Sequence, residues 1–531
     1  MPTSAPRTRK HWGWGYVDEE LSSVELRETA AFLAEHLGFG NREPATPVAL
    51  TDIAINEPRV SPPTRLADFS SVGARSRISH SRGKSYTDIV AGFRGDFANV
   101  TDFVACPRTE DEIDATLEWC ANERVALIPY GGGSSVVGGV TPDLPIEYNG
   151  AVTLDLSKLN RVLEVDPTSR AAHIQAGAFG PDLEAQLSAH DLTLRFYPQS
   201  FQFSTLGGWI ATRAGGHFAT DATHIDDLVE SIRAITPTGA WESRRLPASG
   251  AGVSPDRMLL GSEGTLGVIT SAWVRLSQRP KIRSSVSVRF SSFAEGMRAV
   301  REIVQSGLRP ANCRLIDPAE TALTGTGDGA FALLVLGFES AQYDVAAVQS
   351  AASSICEGHG GVVALSEDSR SGDVGAWRDA FIRAPYQRDV LVAMGIIAET
   401  FETAVTWDAF DRLHERVVAT AKAAVQQVCG HPGLVSCRIT HVYPDGCAPY
   451  FTVVAPGRTG EETEQWAQIK RAVSQTLIDE GATITHHHAV GRDHRPWYDQ
   501  QRPDVFASAL RGAKRAIDPS FVLNPGVLID P

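Results

Sequence analysis

The stretches Pro129–Gly139 (PYGGGSSVVGG), Phe203–Gly216 (FSTLGGWIATRAGG) and Gly261–Thr270 (GSEGTLGVIT) decide how this chain is read. Each clusters glycines beside Ser or Thr hydroxyls, with apolar sequence around it. Glycine lets a ligand approach the main chain closely, and successive N–H groups in such turns form anion-binding concavities. Three such loops in one apparent domain suggest a large dinucleotide held along its length. No G-x-G-x-x-G opens a helix after a strand, and no G-x-x-x-x-G-K-[ST] is present, which excludes both common nucleotide fingerprints.

The chain has 531 residues, more than a single core supports, so two or more domains are expected. Hydrophobic residues make up 43% and charged residues 21%, the composition of an ordinary globular protein. A formal net charge of −14 argues against a nucleic-acid surface. No apolar run approaches the ~20 residues of a membrane span. The N-terminal residues lack the apolar core of a secretory signal, and LIDP is not a peroxisomal address. Seven cysteines form no C-x-x-C, so a cytoplasmic location is expected.

Residues 1–95 read as an extension with a Trp/Gly cluster (WGWGY) and a helix near Ser22–His36. A capping box of Thr109 and Glu112 predicts a helix over Thr109–Glu123 with Ile113, Leu117 and Cys120 on one face. Strands are expected at Val125–Pro129, Val152–Leu156, Ala171–Gln175, Leu228–Thr236 and Gly267–Leu276, with a helix opening at Pro181. Arg279–Pro280 is a plausible boundary. Beyond it a βαβ-like alternation restarts, with strands at Ser285–Phe290 and Ala330–Phe338 and helices at Phe293–Ser306 and Tyr343–Gly358. Thr406–Val428 reads as a helix, Arg438–Val454 as strand, turn, strand, and Val505–Ile517 as a closing helix. The expected division is an extension over 1–95, a cofactor domain over 96–280, a second sheet domain over 281–499, and a tail over 500–531. No internal repeat is visible.

The three loops in this order resemble the vanillyl-alcohol-oxidase and p-cresol-methylhydroxylase flavoprotein superfamily. Within it the chain is similar to the alkyldihydroxyacetonephosphate synthase family: WGWGY, the three loops, NCRLID, QRDVLVAMGIIAETFETA, DGCAPYF, THHHAVG and DPSFVLNPG follow in order. The resemblance implies an α+β fold, with a two-subdomain FAD-binding domain completed by the tail and an α/β cap over the flavin. It also implies which residues hold FAD. Pro129, Tyr130, Gly131, Gly132, Gly133, Ser134 and Ser135 would hold the pyrophosphate. Gln199, Ser200, Phe201, Gln202, Phe203, Ser204 and Thr205 would continue the site. Thr212, Arg213, Ala214 and Gly215, then Glu263, Gly264, Thr265, Leu266, Gly267, Val268 and Ile269, would complete it. Many relatives tether FAD through a His in the first loop; Ser134 and Ser135 stand here, so noncovalent FAD is expected.

Such enzymes exchange the acyl group of an acyl-dihydroxyacetone phosphate for a fatty alcohol, with a flavin N5 adduct and no net redox change, in ether lipid synthesis. That chemistry needs a base beside a carbonyl, a cation for phosphate and a polar cradle for developing charge. By the resemblance, Tyr450 is the acid/base residue, Arg388 binds substrate, and Arg314 is a second arginine needed for activity. His486, His487 and His488 fall in a predicted strand, ATITHHHAV, with His487 on the opposite face. They read as a polar cluster near the flavin, an exposed strand end, or a metal site. Adjacent strand histidines cannot supply three convergent ligands, so no metal is expected. Expected partners are a lipid-like or anionic small molecule, a second copy of the chain and, peripherally, a membrane.

The chain departs from the family in HFATDATHIDDLV, where Ala222 and Thr223 replace a Tyr–Gly pair and His217 and His224 are gained. The alternative is an FAD-linked oxidase or dehydrogenase of a 2-hydroxy acid or other small alcohol. Its H-x-G-D-G-N-x-H and E-H-G-[IV]-G stretches are replaced here by HVYPDGCAPYF and HHHAVG.

Overall fold

Two parallel strands buried on both faces, Val125–Tyr130 and Gly150–Asp155, form the centre of the first sheet. Phe103–Ala105 extends it in parallel on the far side of Gly150–Asp155. The computed structural model describes residues 7–144, 147–365 and 372–530. Near-continuous apolar sequence suits strands covered on both faces. The C-terminal tail closes the other edge: Leu523 pairs in parallel with Leu127, and Leu127 N–H donates to the Val522 carbonyl at 2.7 Å.

An antiparallel five-stranded sheet follows, in the order Val162–Asp166, Ala171–Gln175, Val268–Arg275, Val229–Thr236, Gly239–Glu242. The helix Glu110–Glu123 packs between the two sheets, its Ile113, Leu117 and Cys120 sharing a core with Val152 and Leu154 of one and Ile235 and Val268 of the other. Thr109 caps it as expected, but the Glu112 carboxylate reaches the Arg108 N–H rather than that of Thr109. Glu110 pins the helix to the second sheet through Arg233 at 2.7 Å.

The second domain carries an antiparallel sheet whose main path runs Val362–Leu365, Ile282–Phe290, Ala332–Ser340, Asn312–Ile316, Leu434–Val442, Gly446–Pro456, Ile396–Glu402. The βαβ reading therefore needs correction. A helix does carry Ile282–Phe290 over to Asn312–Ile316, but Ala332–Ser340 is inserted between them, so every neighbouring pair is antiparallel. Apart from the short helix Pro318–Thr324 in the first unit and the two-residue strand Val405–Thr406 in the second, the same strand–helix–strand–strand–helix order recurs from Ile396 through Asp479. The two units meet at the Asn312–Ile316 and Leu434–Val442 strands. This doubling is invisible in sequence because topology repeats without residue identity.

Helices Trp407–Cys429 and Glu462–Asp479 cover one face of the sheet, burying Leu413, Val417, Ile469 and Val473 against Phe401 and Phe451. The Phe401 and Phe451 rings stack at 5.1 Å, and each such buried side chain contributes about 2 kcal/mol. The opposite face turns toward the cofactor loops. WGWGY packs onto the second domain: Lys10 pairs with Asp389 at 2.6 Å, and Trp14 N–H donates to the same carboxylate. Gly13, at φ +62°, is required there because a Cβ would overlap that carboxylate. No helix among the described residues is long and apolar enough to cross a membrane.

Candidate functional site

The three glycine-rich loops converge on one cleft with about 1580 Å³ of atom-free space, its open mouth included. The first loop leaves Val125–Tyr130 and presses on the second so closely that a Cβ on Gly132 would overlap the Phe203 carbonyl. Among the described residues nothing accepts a hydrogen bond from the backbone N–H groups of Gly131, Gly132, Gly133, Ser134 or Ser135. Five consecutive donors unspent on protein suit a pyrophosphate. From behind, Arg9 of the extension donates to the Gly132 carbonyl at 2.7 Å.

Pro129 through Ser135 all line the cleft, as do Gln199, Ser200, Ser204, Thr205, Thr212, Ala214, Gly215, Glu263, Gly264, Gly267 and Ile269. Seven residues of the expected set do not. Phe201 and Phe203 turn into hydrophobic cores, and exposed Gln202 reaches Tyr386. The Arg213 guanidinium is held by Asp226 at 2.8 Å. Thr265 donates to the Ser262 carbonyl, while Leu266 and Val268 are core residues. Alternation and turn geometry divide each loop between cleft and core.

Glu263 closes the far side, accepting from Val490 N–H at 2.9 Å and Gly491 N–H at 2.8 Å, while Asn524 of the tail holds its carbonyl. Burial pushes the Glu263 carboxyl up to about 7, against the opposing pull of those two N–H donors. Its folded value lies above the ordinary one. Its stabilising contribution is therefore complete below about pH 4.5 and lost as pH rises through about 7. Wild type is expected to lose on the order of 3 kcal/mol across that window relative to Glu263→Gln. Parallel melting curves of the two proteins from pH 4.5 to 8 check this.

The opposite wall comes from the second domain's sheet. Arg438 pairs directly with Tyr450, and Tyr450 with Glu402, so the three stand in one row on one face. The Arg438 guanidinium lies 3.9 Å from the Tyr450 ring centre and is ion-paired to buried Glu320. A β-bulge between Ile439 and His441 shifts the register, so that His441 faces Ala448, two residues before Tyr450. Simple alternation would place His441 with Ile439 in the core; the bulge turns it into the cleft beside Arg438 and Thr440.

Arg314 is 2% exposed, lines the cleft and donates to the His217 carbonyl at 3.1 Å. Burial lowers the Arg314 guanidinium to about 9, with Arg438 adding repulsion. Arg388 is placed differently: it donates to Thr400 Oγ1 at 2.9 Å and does not line the cleft, although Pro385 of the same helix does. Of the two arginines singled out in sequence, Arg314 meets the cleft directly.

Residues 486–488 are not a strand, and the alternation expected of them is absent. Glu402, wholly buried, accepts from the backbone N–H groups of His486, His487 and His488 at 2.6, 3.1 and 2.9 Å and from Thr485 Oγ1 at 2.6 Å. Successive N–H groups of a strand point to opposite sides, so three cannot meet one carboxylate without a turn. Burial would raise Glu402, but the facing His488 and His486 imidazoles and the Thr485 hydroxyl outweigh it and hold the carboxyl at about 2. His487 and His488 line the cleft beside Tyr450. His486 and His487 also come together with His441, their ring nitrogens within 4.8 Å of one another. Two of the three adjacent histidines thus converge, and the third member of the group comes from a distant strand rather than from the run itself. Both His441 ring nitrogens are engaged, with the Gly216 carbonyl at 2.9 Å and Thr440 Oγ1 at 3.1 Å.

Sequence reading passed over Glu402, Arg438 and His441, and noted His217 only within the stretch that departs from the family. Glu402 carried a signal, an acid on the same strand face as Ala398 and Thr400 in an otherwise apolar stretch. His441 carried none, because a bulge has no sequence signature here.

Residues 101–243 match the FAD binding domain family, and residues 279–528 match the FAD linked oxidases C-terminal domain family. The chain is 29% identical to an alkyldihydroxyacetonephosphate synthase of Dictyostelium discoideum, over 96% of this chain and 89% of that protein. A solved alkyldihydroxyacetonephosphate synthase superposes with a TM-score of 0.81 at 26% identity, covering 97% of this chain and 98% of the other. Substrate-bound p-cresol methylhydroxylase shares the fold, with a TM-score of 0.70 at 14% identity over 87% of this chain and 94% of that one.

Proposed function

We propose that this chain, which is similar to alkyldihydroxyacetonephosphate synthases and shares the fold of p-cresol methylhydroxylase, exchanges the acyl group of an acyl-dihydroxyacetone phosphate for a long-chain alcohol. FAD is the cofactor, held by the three loops, and supplies an electron sink beside the reacting carbon. Tyr450 moves the proton at the carbon next to the carbonyl. Arg314 offers the substrate phosphate a guanidinium fork, a geometry suited to planar and tetrahedral oxyanions. His487 and His488, oriented through Glu402, stabilise charge as it develops. The carboxylate leaves, and the alcohol oxygen takes its place on the same carbon. One observation carries the reading: a buried arginine, Arg314, and a buried tyrosine, Tyr450, both line the cofactor cleft.

The test supplies purified yellow protein with palmitoyl-dihydroxyacetone phosphate and hexadecanol. Alkyl-ether product and free palmitate with oxidised flavin are expected. Bleaching by D-lactate without ether product would instead make the protein a hydroxy-acid dehydrogenase. Ser134 and Ser135 in the first loop lead us to expect that acid precipitation leaves the yellow colour in solution; colour in the pellet would show a covalent tether. We further place the enzyme in the cytoplasm as a homodimer drawing its substrate from a membrane surface, which sedimentation and vesicle flotation would check.

A further inference from the structure

We propose that His487, His486 and His224 form a proton relay from the cleft to the protein edge, with His224 as its outer station. His487 Nδ1 lies 3.0 Å from His486 Nδ1, and His486 Nε2 lies 3.1 Å from His224 Nε2. The two outer rings meet edge-on, with centres 4.4 Å apart. His224 belongs to the stretch where this chain departs from its relatives, and the reaction wall described above makes no use of it.

One anchor sets the direction of the chain. His224 Nδ1 is 3.0 Å from the Arg213 carbonyl, which can only accept, so Nδ1 carries the hydrogen and Nε2 accepts. His486 then donates from Nε2 and accepts at Nδ1, which makes His487 a donor at Nδ1 and leaves its Nε2 as the acceptor. Burial keeps all three imidazoles neutral at rest, which this pattern requires. The single Nε2 hydrogen of His486 is shared between His224 Nε2 and the Tyr443 hydroxyl oxygen at 2.8 Å, while Tyr443 donates its own hydrogen to Thr223 Oγ1 at 3.0 Å.

A proton accepted at His487 Nε2 sends the Nδ1 proton to His486, which passes its Nε2 proton to His224. The charge comes to rest as a half-buried imidazolium. Asp226, although paired with Arg213 and Arg257, and Asp227, whose carboxylate accepts from the His224 backbone N–H at 3.3 Å, favour that cation, and the Arg213 charge opposes it. The return of the proton along the same path restores every tautomer without a ring flip. Such a store suits a reaction that removes a proton and gives one back with no net redox change, and to that extent the proposal rests on the function given above.

Selective ¹⁵N-histidine spectra of the FAD-loaded enzyme without substrate test the wiring independently of turnover. Neutral His224 and His487 carrying hydrogen on Nδ1, and neutral His486 carrying it on Nε2, are expected. The opposite tautomer at His486 would overturn the relay. His224→Gln keeps a hydrogen-bonding group near the Nε2 position but cannot pass a proton through. It is expected to lower kcat about tenfold with KM unchanged, and added imidazole should restore the rate. An unchanged kcat, or a loss that imidazole leaves in place, would also overturn the relay. If wild type makes no ether product, the acyl-exchange reading fails while the tautomers still decide the relay.

Discussion

Tyr450→Phe is expected to fold, bind FAD with an unchanged visible spectrum, and lose turnover at least a hundredfold. The ring is 6% exposed in the central row of the sheet, so removing the hydroxyl leaves its packing intact. What disappears is the group able to take a proton beside the substrate carbonyl, an effect on the order of 10²–10⁴ for positioned acid–base groups. Arg438 lies against the ring face, 3.9 Å from its centre, and holds the ring in place with or without the hydroxyl. The loss should therefore fall on kcat, with FAD affinity constant. Steady-state kinetics with flavin fluorescence titration check both, and retained activity would move the acid/base role to the imidazoles.

Glu402→Gln is expected to cost more than its conservative appearance suggests. The carboxylate accepts from three backbone N–H groups and the Thr485 hydroxyl with no exposure to water. An amide has one acceptor oxygen, and its NH2 would confront at least one of those donors. Each buried donor left unsatisfied costs about 1–3 kcal/mol. A loss of about 3 kcal/mol and a fall in melting temperature of roughly 5–10 °C follow. Turnover should fall with it, because the loop that presents His487 and His488 to the cleft loses its anchor. Calorimetry together with a turnover assay separates this variant from Tyr450→Phe, which should melt like wild type. Glu402 also makes an acid-sensitivity argument: its folded value of about 2 lies below the ordinary one. Its stabilisation is thus present above about pH 4.5 and is lost as pH falls toward 2.

The local elements were legible in the sequence to a degree the site was not. Apolar periodicity located Ala171–Gln175 to the residue and the helix after Thr109 to within one, because both depend on neighbours in the chain. The glycine loops were legible for the same reason, although six of the fourteen residues in Gln199–Thr205 and Glu263–Ile269 do not line the cleft. Tyr450 and Arg314 were found through resemblance, and both line the cleft. Arg388 was found the same way, yet its side chain is engaged by Thr400.

By itself the sequence determined two domains, a dinucleotide cradle of the FAD type, and the residue types needed for proton transfer and anion binding. The domain count and the dinucleotide cradle follow from length, short-range pattern and turn chemistry, whereas the FAD type and the residue roles came through the family resemblance. Only the tertiary structure decided which of those residues meet. Arg438, Tyr450 and Glu402 share a row because of strand register, and His441 joins them because one extra residue bulges its strand. His487 and His488 turn into the cleft because the distant Glu402 carboxylate gathers the N–H groups of residues 486–488. Register, bulges and a shared buried acceptor are set by pairing between segments far apart in the chain, where no local pattern reaches.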